Sequence, residues 1–220
     1  PHSVYDLVIA TDQEEVDLFC SYAPDYRGVV KENCVGIAIQ QEERHIIPSD
    51  AFVMTTVSNH LAARLSGAMC WIISQVLLKY PHVVYAPIGN IGDMQRVEDI
   101  FRYYEVRDQV RFLGGHNNPQ RLLSSMHLYL NEFPVGSGLA CVDALAAGLP
   151  IVTMHYAQGR IQGRHASNYF GRQFAIDSCD PQEYLQVVCS LIEDPSLYQE
   201  WCQQADRQYK KHSDIGRYIT

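Results

Sequence analysis

The sequence predicts an α/β protein in which a parallel sheet carries helices on both faces. From residue 51 onward, short apolar runs of strand length alternate with segments whose apolar residues recur at helical spacing. Such alternation requires crossover connections, and these join parallel strands. The stretch of residues 131–154 then follows the order turn, helix, strand. A hydrophobic fraction of 47% suits a packed globular interior for such a sheet.

The first fifty residues give the weakest pattern. The elements predicted there are strands within residues 4–10 and 28–39 and a short helix over residues 14–22. The polar run QQEERHIIPSD, residues 40–50, ends near a proline and marks an element boundary. We therefore predict an N-terminal segment or linker over residues 1–45, followed by one Rossmann-like domain with C-terminal helices over residues 46–220.

From residue 51 the predicted elements follow one another regularly. The predicted strands are residues 51–57, 83–86, 110–113, 128–130 and 151–154. The predicted helices are residues 60–80, 93–104, 119–126, 139–147, 181–193 and 196–211. We expect Asp180 to cap the first of the two C-terminal helices, and Pro195 and Ser196 to open the second.

The turn Gly136-Ser137-Gly138 separates the strand over residues 128–130 from the helix over residues 139–147. A helix that begins directly after such a turn presents unpaired N–H groups and the positive end of its dipole, which suits a phosphate. One acid, Asp143, lies within this otherwise apolar helix, and its carboxylate could reach back to a ribose. The alternative is that the glycines only permit a tight turn and that Asp143 faces solvent.

In an open parallel sheet, ligands bind at the carboxyl ends of the strands. The candidate residues at these ends are Ser58, Asn59 and His60 after the first strand, Gly114, Gly115 and His116 after the third, residues 132–139 after the fourth, and His155 after the fifth. Arg64 follows the first strand by about two helical turns, so its side chain could swing back toward the glycine turn. Arg64 could equally be a solvated helix residue, and His116 a histidine of a surface loop. His127 is assigned a structural role.

Charge and composition exclude several classes of partner. The formal charge is −8, from 17 basic and 25 acidic residues, and no basic cluster exceeds Lys210-Lys211. This balance argues against nucleic acid as a partner. No apolar stretch is long enough to cross a bilayer, so no membrane span is predicted. The seven cysteines include no C-x-x-C pair and predict reduced, buried thiols in a cytoplasmic protein.

Common catalytic motifs are missing from the chain. A nicotinamide site requires G-x-G-x-x-G after the first strand, where the sequence is VSNHLAARLSG. The P-loop ending Gly-Lys-Ser or Gly-Lys-Thr, the nucleophile motif G-x-S-x-G and the zinc motif H-E-x-x-H do not occur. The remaining interpretation is a site for a negatively charged, sugar-bearing nucleotide.

The order of residues in this region resembles a known sequence motif. The order of a small-residue turn, an acid, the sequence ALAAGLP and the sequence IVTM resembles the donor-nucleotide motif in the C-terminal half of GT-B glycosyltransferases. Within that group, residues 45–212 are most similar to the O-GlcNAc transferase family and its bacterial relatives, the cytoplasmic N-glucosyltransferases of adhesins. The narrower likeness rests on IIPSDAFVM, the long helix with Trp71, RFLGG, the terminal VTM and the segment from GRHASNYF to EDPSLY.

The resemblance implies a metal-independent transferase that uses a UDP-sugar, of the UDP-GlcNAc or UDP-glucose type, and no other cofactor. The nucleotide-sugar-binding residues that it implies are Asn59, Arg64, Gly115, His116, Gly136, Ser137, Gly138, Leu139 and Asp143. In this set Asp143 binds the ribose, the turn binds the diphosphate, and residues 114–116 border the uracil. Arg64 stands where the family has a lysine, and Gly-Leu-Ala at 138–140 replaces a frequent His-Thr-Thr. The acceptor could be a protein, and its binding domain would be an N-terminal domain missing from the chain.

The reaction course and two other functions remain to be distinguished. Retaining GT-B enzymes use two glutamates eight positions apart, whereas the residue eight positions before Asp143 is Val135. This departure favours an inverting mechanism. The first other function is a UDP-sugar epimerase of similar fold, for which Glu132 is the candidate acid. The second is a non-catalytic module that has lost nucleotide binding and docks a partner protein.

Overall fold

A four-stranded parallel sheet forms the centre of the larger part of the chain. The computed structural model describes residues 8–10, 28–30, 50–90, 92–116, 119–155, 157–158, 161–162 and 165–213. The strands of the central sheet are β3 (Phe52–Thr55), β4 (Val83–Tyr85), β5 (Leu128–Leu130) and β6 (Ile151–Val152), in the spatial order β4-β3-β5-β6. All three strand pairs are parallel, so the predicted α/β architecture with crossover connections is confirmed.

Two further strand pairs lie outside this sheet. Strands β1 (Val8–Ala10) and β2 (Gly28–Val30) pair in parallel, and β7 (Ala157–Gln158) pairs antiparallel with β8 (Ile161–Gln162). The chain divides into two compact units, one of Ile37–Tyr209 and one of Pro1–Gly36 with Lys210–Thr220. The helix predicted over residues 14–22 lies outside the described residues.

Eight α-helices are assigned among the described residues. They are α1 (Leu61–Arg64), α2 (Gly67–Lys79), α3 (Gln95–Tyr103), α4 (Gln120–Leu123), α5 (Leu139–Ala146), α6 (His165–Phe170), α7 (Pro181–Glu193) and α8 (Pro195–Ser213). Short 3-10 helices occupy Arg107–Gln109 and Arg172–Phe174. None of these described helices is long and apolar enough to cross a membrane.

Both faces of the sheet are covered. Successive side chains of a strand point to opposite faces, and in β3 the neighbours Val53, Met54 and Thr55 are all buried. Burial on both faces explains why the strands are continuous apolar runs rather than alternating ones. The predicted layers, a parallel sheet between helices, therefore correspond to the observed core.

The predicted single helix over residues 60–80 is wrong, because the structure divides it into α1 and α2. Ser66 lies at the break. Its Oγ accepts a hydrogen bond from the N–H of Met69 (3.0 Å) and donates one to the carbonyl oxygen of Phe133 (2.6 Å). Ser66 therefore caps α2 and ties its start to the segment after β5. The apolar spacing continues through the break, so periodicity alone did not reveal it.

Two other boundaries differ from the prediction. In the strand predicted over residues 110–113, only Val110 forms a bridge, which pairs it in parallel with Tyr85 at the outer edge of β4. At α7, the predicted cap is confirmed, since Asp180 accepts from the N–H of Gln182 (2.9 Å). At α8 the cap is Asp194, whose carboxylate accepts from two N–H groups (2.8 and 3.1 Å), rather than Ser196. A carboxylate one residue before the proline is better placed to accept from the first turn.

Five cysteines lie in the described part of the chain, and they differ in burial. Cys70 and Cys141 are buried, whereas Cys189 and Cys202 are half-buried and Cys179 is exposed. The predicted burial holds for two of these five, and their reduced state stays a prediction.

Candidate functional site

The strand order places one crevice at the edge of the sheet where ligands bind in this class of fold. From β3 the chain passes to β4 on one side, and β5 then lies on the other side of β3. The order therefore reverses between β3 and β5, and the carboxyl ends of these two strands border the crevice. The segment after β3 leads to α1, and the segment after β5 contains the glycine turn, Gly136–Gly138. The structure thus brings two of the predicted site segments to the same edge.

Asn131 supports the glycine turn from within. The residue is buried, and its Nδ2 donates to the carbonyl oxygen of Ser137 (2.8 Å), while its Oδ1 accepts from the hydroxyl of Thr153 (3.3 Å). A Cβ added at Gly136 would lie 1.5 Å from Asn131 Oδ1. Gly136 is therefore required because the amide of Asn131 fills the space where a side chain would be. Gly138 has ordinary helical angles (φ −81°, ψ −52°) and has no such requirement.

The start of α5 is open. No side chain caps it, and among the described residues the N–H groups of Leu139 and Ala140 have no hydrogen-bond partner. The side chain of Leu139 is 67% exposed, so this helix end lies at the surface. Unpaired first-turn N–H groups at the positive end of a helix dipole favour an anion. This geometry agrees with the anion site expected at the turn.

The N–H of Ser137, in contrast, is already bound. It donates to Oε2 of Glu132 (2.9 Å), which also lies 3.3 Å from Nδ2 of Asn131. The side chain of Glu132 is completely buried, and its Oε1 has no hydrogen-bond partner among the described residues. The N–H of Ser137 is therefore held by Glu132 in this structure, and the part of Ser137 in diphosphate binding stays a prediction. The sequence had indicated Glu132 as one of the residues after the fourth strand and as the acid of the epimerase alternative.

The buried surroundings of Glu132 disfavour its negatively charged form. Burial raises the pKa of this carboxyl, while the hydrogen bond from the Ser137 N–H, the charge of Arg64 and the hydroxyl of Ser58 lower it in part. Burial has the larger effect, because removal of a carboxylate from water costs more than these partners return. Glu132 is thus a carboxyl that holds its proton to higher pH than an exposed glutamate.

Arg64 reaches across the crevice, as its position in the sequence predicts. It is exposed at the end of α1, and its Nη1 donates to the carbonyl oxygen of Val135, just before the glycine turn, at 3.4 Å. This long contact places a guanidinium at the residue before the glycine turn, and among the described residues no salt bridge of Arg64 is found. An arginine so placed can bind a phosphate through two parallel hydrogen bonds.

Asp143 is half-buried within α5, and its carboxylate is oriented by a neighbour that the sequence did not reveal. Nε2 of Gln120, in α4, donates to Oδ1 of Asp143 at 2.6 Å. Burial raises the pKa of Asp143, and the bond from Gln120 lowers it in part. The carboxylate keeps a second oxygen for another donor. The role of Asp143 toward a ribose stays a prediction.

The other predicted residues are less closely connected to the turn. Asn59, Gly115 and His116 are exposed, and within the described part of the chain none of them contacts the glycine turn. His116 is bonded to its own loop, with Nε2 at 3.0 Å from the carbonyl oxygen of Leu113. Their part in nucleotide binding stays a prediction.

The two remaining histidines have partners elsewhere. Nδ1 of His155 lies 2.7 Å from Oγ of Ser167. His127 has the structural role assigned to it, since its Nδ1 accepts from the N–H of Val53 (3.0 Å) and its ring stacks on Phe52 with centroids 5.1 Å apart.

Tyr184 of α7 anchors the ends of β5 and β6 beneath the site. Its hydroxyl donates to the carbonyl oxygens of Asn131 (2.7 Å) and Val152 (3.0 Å), and its side chain is buried. We expect Tyr184→Phe to lower the free energy of unfolding by about 1–2 kcal/mol, because the buried carbonyl oxygen of Asn131 loses this donor, while that of Val152 keeps the N–H of Asn131. Denaturant unfolding measures the change. The matched variant Tyr103→Phe, at an exposed tyrosine, should stay within about 0.5 kcal/mol of the parent, and an equal loss in both variants would contradict the assignment.

A parallel sheet with an open helix start at its switch point defines an α/β protein of the class that binds ligands at the strand ends. The model of one family, described as glycosyl transferases group 1, matches residues 73–208, more than half of the chain. The chain belongs to this family. The enzyme class indicated by the sequence is thereby confirmed at the level of the family.

Known relatives agree with this membership. The poly(glycerol-phosphate) alpha-glucosyltransferase of Bacillus subtilis (strain 168) is 21% identical over 168 residues, which are 76% of this chain and 24% of the relative. Among solved structures, a mutant of S. aureus TarM in complex with fondaparinux, alpha-GlcNAc-glycerol and UDP is similar with a TM-score of 0.73 and 14% identity, covering 97% of this chain and 42% of that one. The pneumococcal O-GlcNAc transferase GtfA in complex with UDP and GlcNAc has a TM-score of 0.65 and 17% identity, covering 97% and 44%.

These comparisons decide between the broad and the narrow resemblance. Identities of 14 and 17% show a common fold only, and it is that of GT-B glycosyltransferases. The GT-B prediction is therefore confirmed, whereas a special closeness to O-GlcNAc transferases or adhesin N-glucosyltransferases is not. The chain spans about a quarter of the curated relative and less than half of these two solved chains.

Proposed function

We propose that the chain is the donor-nucleotide domain of a glycosyltransferase and binds a UDP-sugar at the switch point between β3 and β5. The observation that carries the proposal is the uncapped start of α5, together with the guanidinium of Arg64 at Val135, the residue before the glycine turn. Two negative charges of a diphosphate match this arrangement. The UDP in the two related complexes supports the choice of nucleotide.

Each part of the donor has a proposed partner. The N–H groups of Leu139 and Ala140 and the dipole of α5 hold the diphosphate, with Arg64 as its side-chain cation. The free oxygen of Asp143 accepts from a ribose hydroxyl, while Gln120 fixes the carboxylate. Gly115 and His116 border the base, and Asn59 lies at the neighbouring strand end. In this arrangement backbone, dipole and guanidinium neutralise the leaving UDP, so that no metal is required.

Calorimetric titration of the chain with UDP, and with GDP for comparison, tests the proposal. We expect UDP to bind and Asp143→Ala to weaken binding about tenfold or more, which is at least about 1.4 kcal/mol, because a ribose hydroxyl loses its charged acceptor. The matched variant Asp108→Ala, at an exposed aspartate before the strand edge at Val110, should bind as the parent does.

The outcomes of this titration separate the candidate functions. Binding of neither nucleotide would sink the donor-site proposal and favour a module that docks a partner protein. UDP binding followed by epimerisation of UDP-GlcNAc without acceptor would favour an epimerase, with Glu132 as the acid. Transfer to an acceptor, which could be a protein, requires a second domain in the proposed scheme, so we expect the chain alone to bind UDP and to turn over poorly.

The stereochemical course is a separate part of the proposal. Val135 is 38% exposed at the position where retaining GT-B enzymes have a glutamate, and its apolar side chain cannot replace a carboxylate. On this ground an inverting course stays our prediction. Proton NMR of the product made by the complete enzyme decides it, since the same anomeric configuration in donor and product would refute inversion.

A further inference from the structure

We infer that Glu132 is a positioning residue that couples diphosphate binding at the glycine turn to the uptake of a proton. The inference rests on the proposed function and adds a step to it. Glu132 binds the N–H of Ser137, inside the turn that would face the diphosphate. An anionic ligand at this turn therefore comes close to a second anion, unless the carboxyl of Glu132 is neutral.

The geometry around Glu132 leaves one oxygen for a proton. Its Oε2 accepts from the N–H of Ser137 and from the amide of Asn131. No described group forms a hydrogen bond to Oε1, although the hydroxyl of Ser58 lies close enough to the carboxyl to lower its pKa. No salt bridge of Glu132 is found among those residues either. A proton on Oε1 leaves both hydrogen bonds to Oε2 in place, because the carbonyl oxygen of a neutral carboxyl still accepts. The turn can therefore keep its shape in both charge states.

Among the described groups that face this carboxyl, one is a cation. The titratable and charged neighbours are Arg64 from α1, Tyr85 from β4, Tyr129 from β5, Cys141 from α5 and Tyr184 from α7. Burial raises the pKa of the three tyrosines and of Cys141, so these groups are neutral and cannot stabilise a carboxylate by charge. Among the described residues, Arg64 is the cation whose charge stabilises the carboxylate of Glu132.

A diphosphate changes this balance in two ways. It attracts the guanidinium of Arg64, which now holds only a 3.4 Å contact to Val135, and it adds negative charge beside Glu132. Both changes disfavour the carboxylate, which is already disfavoured by burial. One proton therefore moves from solvent to Oε1 of Glu132 as the ligand binds, and no other bond is made or broken. The neutral carboxyl then holds the turn without repelling the phosphates.

Calorimetry of the whole chain with UDP-glucose measures the proton directly. Its diphosphate has no group that titrates near neutral pH, so titrations in two buffers of different ionisation enthalpy report protons bound by the protein. We expect the parent to take up a fraction of a proton, up to one, and Glu132→Gln to take up none. Because an amide imitates the neutral carboxyl, Glu132→Gln should bind at high pH as tightly as the parent does at low pH. The parent should lose up to about tenfold in affinity per pH unit where Glu132 titrates.

The variant Glu200→Gln, at an exposed glutamate of α8, serves as the matched control and should take up as many protons as the parent. Binding of UDP-glucose by the parent without proton uptake would overturn the inference and leave the proposed function intact. Equal uptake by the parent and Glu132→Gln would also overturn it. If the parent binds neither UDP-glucose nor UDP, the proposed function fails and the inference fails with it. Should Glu132→Gln not fold, the proton count of the parent still decides the first result, since a parent that binds UDP-glucose without proton uptake overturns the inference.

Discussion

Gly136→Ala is expected to distort the glycine turn and to abolish most of the proposed nucleotide binding. The new Cβ would lie 1.5 Å from Oδ1 and 2.4 Å from Cγ of Asn131, a distance that no side chain can accept. Asn131 cannot withdraw without cost, because its amide is bonded to Ser137, Cys141 and Thr153 in the interior. We expect a loss of about 2–3 kcal/mol in the free energy of unfolding.

A double-mutant cycle tests whether the clash with Asn131 causes the loss of stability expected for Gly136→Ala. The three nearest atoms that the new Cβ would meet all belong to the side chain of Asn131. Asn131→Ala alone should cost about 1–3 kcal/mol, because it leaves buried polar groups without partners. In that background Gly136→Ala should cost little more, so the coupling between the two changes should approach the cost of Gly136→Ala alone.

Denaturant unfolding of the four proteins gives the coupling. The control is Gly67→Ala, at the first position of α2, where an added Cβ meets nothing within 4 Å. This variant should be neutral or slightly stabilising. Additive losses in the cycle would contradict the clash and point instead to a general requirement for glycine in the turn.

The difference between Gly67 and Gly136 also shows which features of the structure the sequence can predict. The turn, the helix α5 and both flanking strands were predicted from small residues and apolar periodicity, which are local signals. The requirement for glycine at position 136 could not be predicted from local signals, because it arises from the side-chain amide of Asn131, which occupies the space that a side chain at position 136 would need. The break between α1 and α2 was missed for the same reason, because Ser66 is fixed by Phe133, a residue 67 positions away.

The candidate site likewise has features that the sequence predicted and features that it did not. Arg64 and the glycine turn were predicted to be neighbours because parallel strands end at a common edge, and their contact through Val135 agrees with that prediction. The pairing of Gln120 with Asp143 was not predicted, since a glutamine in a short helix gives no signal of its partner. The capture of the Ser137 N–H by Glu132 was missed as well, because a sequence does not show which N–H groups of a turn are already bonded.

The buried carboxyl of Glu132 should make the stability of the fold depend on pH. Burial raises the pKa of Glu132 in the folded chain above its ordinary value of 4.5. Between these two values the folded state holds the proton that the unfolded state has lost. The free energy of unfolding of the parent, relative to that of Glu132→Gln, should therefore be highest below pH 4.5 and fall as the pH rises to the folded-state pKa.

Because one proton is involved, this difference in the free energy of unfolding can change by at most about 1.4 kcal/mol per pH unit. It becomes constant at pH values where Glu132 is ionised in both the folded and the unfolded state. At neutral pH Glu132→Gln should thus be more stable than the parent, although it removes a hydrogen-bonded carboxylate. Its amide oxygen can still accept from the N–H of Ser137, so the comparison isolates the charge. Urea unfolding of both proteins from acid to neutral pH measures the difference. A difference that rises with pH would mean that the partners of Glu132, Arg64 first among them, stabilise the carboxylate more than burial disfavours it.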